Sequence, residues 1–148
     1  MNYSTIYYLI INQNDVDEFN QMYFNEHPRA KIPPIKAPQH PSINEYSIMN
    51  NQAANKLKQN WKAFISWLLN KHSLTGLNIQ KCQITYTTYF KTAHRHDVDN
   101  VSPKYIFDAF VDSKFIVDDD LEHITSLTIK GGIDKENPRI EFIVEVIE

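Results

Sequence analysis

The chain has 148 residues, of which 42% are hydrophobic, 22% are charged and only one is cysteine. These values fit a single globular domain and exclude disordered, collagen-like and disulfide-stapled classes. The apolar runs Ile6 to Ile11 and Ala63 to Leu69 fall far short of the roughly 18 residues of a membrane span. The opening Met-Asn-Tyr-Ser-Thr lacks a secretory pattern, so the expectation is a cytoplasmic protein with no membrane partner. The net charge of −3 divides into −4 over residues 1–26, +9 over 27–96 and −8 over 97–148. A +9 segment is either a phosphate-facing surface or a set of solvated lysines.

In chain order, Thr5 to Ile11 reads as a strand buried on both faces or nearly so. Residues 28–41 hold five of the seven prolines, with Arg29, Lys31 and Lys36 between them. That composition predicts a basic loop or arm. From Ser47 to Asn70 the residues Ala53, Leu57, Trp61, Phe64, Ile65 and Leu68 recur at helical spacing. One long amphipathic helix is expected there, with Lys58 and Lys62 on its wet side and Gly76 suited to its end.

Gln80 to Lys91 alternates as a strand, with Ile84, Tyr86, Thr88 and Phe90 on one face. Ser102 and Pro103 predict an N-cap and first turn for a short helix reaching about Ser113. His123 to Lys130 and Arg139 to Ile147 read as two strands joined in a hairpin by a long loop. The expected fold is therefore α/β (α+β). It is one mixed domain over residues 1–148, a small mixed sheet with one long and one short helix.

The densest chemistry is His94-Arg95-His96-Asp97-Val98-Asp99-Asn100, followed by Asp118-Asp119-Asp120. If the preceding strand extends this far, Asp97 and Asp99 project to one side, because extended backbone repeats every two residues. Paired carboxylates and a third from a later loop would suit Mg²⁺ or Mn²⁺, which take hard oxygen ligands. The competing reading puts both acidic groups in solvated turns, where Asp is common.

A calcium loop fails on spacing. Counted from Asp97, the sixth position is Ser102 and the twelfth is Asp108, instead of Gly and Glu. Lys104 falls in the first turn of the short helix, where free N–H groups already favour an anion. With three glycines in the chain there is no Gly-rich phosphate loop, and no G-x-S-x-G occurs.

The string His96-Asp97-Val98-Asp99-Asn100, then Lys104, then Phe107-Asp108-Ala109-Phe110, then Ile116-Val117-Asp118-Asp119 resembles the core signature of the RusA-type Holliday junction resolvases. Pro41 to Tyr46 before a Lys- and Trp-containing helix is similar to the family's opening, and Asn137-Pro138-Arg139 to its last strand. The resemblance covers roughly residues 41–148. It implies a RusA-like fold and a Mg²⁺-dependent homodimer (Mn²⁺ as a substitute) that cuts four-way DNA junctions by paired nicks in recombination and repair.

By the same resemblance, Asp97, Asp99 and Asp119 would be catalytic metal ligands, Asp118 a supporting ligand and Lys104 the catalytic lysine. Branched DNA would rest on the basic segment, with Arg29, Lys31, Lys58, Lys62, Lys91 and Arg95 as candidate contacts. A non-catalytic junction-binding protein that keeps the resolvase fold is the alternative. A nuclease acting on flaps or forks is a third reading.

Overall fold

A computed structural model describes residues 4–147. It is a single mixed α+β domain with one four-stranded sheet. The elements in order are β1 (Ile6–Asn12), α1 (Gln13–Glu26), α2 (Ile43–Ser47), α3 (Asn51–Lys71), β2 (Cys82–Phe90), α4 (Lys104–Asp112), β3 (Ile124–Ile133) and β4 (Arg139–Val146). A short 3-10 turn at Val98–Asn100 precedes α4. No helix among the described residues is long and apolar enough to cross a membrane.

The strand order is β1-β4-β2-β3, with β4 antiparallel to both neighbours and β2 parallel to β3. The expected hairpin of β3 with β4 is therefore absent, because β2 lies between them. The physical reason is burial. Ile140, Phe142 and Val144 of β4 are fully buried and belong at the centre, whereas β3 is exposed at most positions and belongs at an edge. The link over residues 134–138 crosses the end of β2, where the Asp134 N–H donates to the Phe90 carbonyl at 2.9 Å.

Strand β1 also departs from expectation. It is an edge strand with Leu9 and Ile11 buried while Ile6, Tyr8 and Ile10 face outward, so only one of its faces is covered. On the covered face of the sheet, Phe110 of α4 meets Phe142 at 5.3 Å between ring centres, and Tyr86 stacks on Phe142 at 4.9 Å. Trp61, Phe64, Ile65, Leu68 and Leu69 of α3 complete that core. Such burial of large side chains is the main stabilising term of the fold.

Helix α1 was not anticipated. Its signal is Asn12-x-x-Asp15: the Asn12 side chain accepts the Asp15 N–H at 3.1 Å, and the Asp15 carboxylate accepts the Asn12 N–H at 3.0 Å. Val16 and Phe19 are its buried positions. The long helix starts later than expected because the Asn50 side chain caps the Ala53 N–H at 2.8 Å, leaving α2 as a separate turn capped by Ser42.

The residues at 28–41 do form a loop, though it lies on the protein as a strap. Ile35 is buried, and the Asn20 side chain brackets its backbone, donating to the Ile35 carbonyl at 2.8 Å and accepting its N–H at 3.2 Å.

Helix α3 ends in a Schellman arrangement. The Leu74 N–H reaches the Leu69 carbonyl at 2.9 Å, and the Ser73 N–H reaches Asn70 at 3.1 Å. The left-handed residue is Ser73 at φ 59°, three positions ahead of the expected Gly76. An L-residue there is strained. Ser73→Gly should raise the stability to urea unfolding by about 1 kcal/mol; a stability equal to or below that of the parent would show that the turn carries no such strain.

Candidate active site

Strand β2 ends at Phe90, so Asp97 and Asp99 are not on an extended strand as expected. Asp97 begins the 3-10 turn, accepting the Asn100 N–H on its carbonyl at 3.0 Å. A turn with three residues per revolution sends side chains two apart in different directions. Both carboxylates are exposed, and Asp97 is bonded to the Arg95 guanidinium at 3.0 Å. Two contacts hold this loop. The Asn100 side chain accepts the Asn44 N–H of α2 at 2.8 Å, and His96 stacks flat on Phe90.

Lys104 opens α4, exposed, with its own N–H donating to the Ser102 hydroxyl at 3.2 Å. The cap itself falls one residue later than expected, at Pro103. Lys104 makes no ion pair among the described residues. Asp108, four residues on, lies 3.8 Å from Lys58.

The second acidic group lies before β3. The Val117 N–H donates to Ile79, and the Cys82 N–H donates to His123. Residues 117–123 are thus fastened at the start of β2, whereas the Asp97 loop leaves from its far end. Nine residues of strand at about 3.3 Å each make that a long separation.

Within the run, Asp120 is built into its own turn: one carboxylate oxygen accepts the N–H groups of Glu122 and His123 at 3.1 Å and meets the His123 ring nitrogen at 2.5 Å. This contact holds the Asp120 carboxyl below, and the His123 ring above, their ordinary values. Asp118 accepts the Asp119 N–H at 2.8 Å. Burial pushes the Asp119 carboxyl up, helped by the neighbouring Asp118 and Asp108.

Ligand atoms of Asp118, Asp120 and His123 lie within 4.8 Å of one another, whereas those of Asp97, Asp99 and Asp119 do not form such a group among the described residues. The donor chemistry of the latter three fits Mg²⁺ or Mn²⁺. Their geometry within one chain does not make a cage.

The basic candidates divide in two. Lys62 pairs with Asp112, and with Lys58 beside Asp108 both face α4, so neither is on the wet side assigned to it. Arg95 is spent on Asp97. Arg29, Lys31 and Lys91 are exposed and make no ion pair among the described residues. Cys82 is buried, and its thiol is pushed up to about 11, which leaves it unreactive.

A polar cavity of about 260 Å³ lies between the strap, the second half of β2 and the Asp97 loop. Its walls include His40, which sequence reasoning passed over. The Tyr105 N–H donates to His40 Nε2 at 3.0 Å, so Nε2 is the bare nitrogen and Nδ1–H donates to the Pro41 carbonyl at 2.7 Å. Trp61, Tyr46 and Tyr105 surround the ring. This neutral imidazole joins the strap to the start of α4, next to Lys104.

No protein-family model matches the chain, and no curated protein matches it.

Burial lowers the His40 ring to about 4. Because the unfolded chain binds this proton near pH 6.5, stability is intact above that value and falls as pH drops towards 4, by roughly 3 kcal/mol for this group. Its ring NMR signals should stay unmoved from pH 7.5 to 5.5. A midpoint near 6.5 would contradict the buried, doubly bonded ring.

Proposed function

We propose that the protein is a Mg²⁺-dependent endodeoxyribonuclease that resolves four-way DNA junctions as a homodimer in the cytoplasm, a member of the RusA-type resolvases. The observation that carries this reading is the loop Asp97-Val98-Asp99-Asn100, pinned by Asn100 to α2, with an unpaired Lys104 one short step away at the start of α4. Two exposed carboxylates, an ammonium group and a helix start combine what a phosphodiester needs: ligands for a hard cation and positive charge for the oxygens.

When bound, the cation would supply an activated water. Asp97, Asp99 and Asp119 would hold it, with Asp118 in support. Lys104 would hold the phosphate oxygens. Arg29, Lys31 and Lys91 would carry the branched DNA, since Lys58, Lys62 and Arg95 already have acidic partners.

The parallel β2–β3 connection adds a condition. Asp119 leaves from the opposite end of β2 from Asp97, so a shared cation calls for Asp119 of a second chain. A two-fold dimer supplies that symmetrically, with two such sites for two nicks. The same separation gives weight to the alternative, a junction-binding protein without catalysis. It would retard junctions on a gel and never nick them.

Asp97→Asn should cut a synthetic mobile junction at least about a hundredfold more slowly in Mg²⁺, with its gel-shift affinity for the junction unchanged. Cleavage at the parent rate would remove Asp97 from the reaction.

A further inference from the structure

Strand β3 ends the sheet, and its outer edge is unpaired among the described residues. An exposed edge recruits another strand through its free N–H and C=O groups, and proteins blunt it with proline, charge or a bulge. The ten residues of β3 include no proline and one charge, Lys130. The one irregularity in its pairing lies at its start, beside Cys82 and Gln83. The row it adds to the core side is apolar: Leu127, Ile129 and Ile133 pair with Ile84, Tyr86 and Phe90. Yet Leu127 is 40% and Ile133 60% exposed, so this row runs on past the last covered strand.

Charge decides which strand can lie alongside. Asp118, Asp119, Asp120 and Glu122 crowd the start of β3, with Lys81 the one basic residue nearby. Its other end is close to balance: Arg95 and Arg139 are bonded to Asp97, Asp134 and Glu141, and Lys135 stands beside Glu136. Lys130 and Lys91 are exposed there and make no ion pair among the described residues, with Asp99 the remaining acid. A copy of β3 laid parallel would set two acidic runs against each other. An antiparallel copy holds them a strand length apart, each towards Lys130 and Lys91. The other edge, β1, lacks this opposition, because residues 1–26 hold four acids and no Lys or Arg.

Shape agrees with charge. Leu121, just before β3, is 89% exposed. At the other end of the strand a cleft of about 330 Å³ opens between Val98, Val101, Ile129 and Ile133, with Gly131 and Gly132 in its wall.

We propose that β3 pairs antiparallel with β3 of a second copy of this chain, joining two four-stranded sheets into one, with Thr128 opposite itself at the two-fold axis. Leu127 then opposes Ile129 of the second copy, and Leu121 of the second copy comes to the cleft by Val98 and Ile133. This deepens the nuclease reading and rests on it for one requirement, that Asp119 of one chain reach Asp97 of another. Antiparallel pairing meets it, since the start of one β3 lies beside the end of the other, where the Asp97 loop shares the cleft with Ile133.

The test uses the full chain, whose lone cysteine, Cys82, is buried. Thr128→Cys and Ser126→Cys each put a thiol at an exposed position on the same side of the sheet. Under mild oxidation Thr128→Cys should form a disulfide-linked dimer, because directly opposed residues bring their Cβ atoms to about 5 Å. Two copies of residue 126 would lie roughly 13 Å apart along the strands, so Ser126→Cys should stay monomeric on a non-reducing gel. By sedimentation the parent should be a dimer at micromolar concentration. Leu127→Lys and Lys130→Glu should each weaken that dimer at least about tenfold while keeping the parent's circular dichroism.

A monomeric parent, no crosslink at 128, or equal crosslinking at 126 and 128 would overturn the proposal. So would a dimer that both charge variants leave intact, which would put the interface on another surface. If the β3 dimer forms and never nicks a junction in Mg²⁺, the interface stands and the nuclease reading falls. Junction cutting by a protein that fails the Thr128→Cys crosslink does the reverse.

Discussion

Parallel pairing of β2 with β3 governs where the chemistry sits. A parallel neighbour obliges the chain to travel back along the strand it has just left. Here that return path is the Asp97 loop, α4 and the turn through Asp120. The path leaves one acidic group at the far end of β2 and fastens the other at its start, through Val117 on Ile79 and Cys82 on His123. The same path presses Phe110 of α4 onto Phe142 and the sheet centre. One topological fact thus fixes the core and divides the carboxylates.

A second constraint acts at the end of β2 that bears Asp97. A neutral His40, donating to Pro41 and accepting from Tyr105, fastens the strap to the first turn of α4. Asn100 fastens the motif loop to α2. Strap, α2, motif loop and α4 therefore hold one another, and the polar cavity lies between the strap, the motif loop and the second half of β2. The Asn of the D-x-D-N string is explained here by architecture: it satisfies a free N–H at the start of a short helix.

Much of this was legible in the residues. The alternation of Ile84, Tyr86, Thr88 and Phe90 gave the buried face of β2, and the 3.6-residue spacing of Trp61, Phe64, Ile65 and Leu68 gave the core face of α3. Strand pairing was not legible, since apolar patterning says which face is buried and little about which strand lies alongside. Helix α1 escaped because its capping box uses Asn and Asp in place of the commoner Ser and Glu, and only Val16 and Phe19 are fully buried. The pairing of Lys58 and Lys62 with Asp108 and Asp112 joins residues about fifty positions apart on two helices, which no local spacing reveals. His40 looked like one more residue of a Pro-rich loop.

The sharpest test asks whether Asp97 of one chain works with Asp119 of another. Asp97→Asn and Asp119→Asn chains, each inactive alone, would be mixed, unfolded and refolded together, and assayed on a four-way junction in Mg²⁺. Shared sites predict that mixed dimers regain one intact centre and nick a single strand. A mixture as inactive as its components would contradict the account.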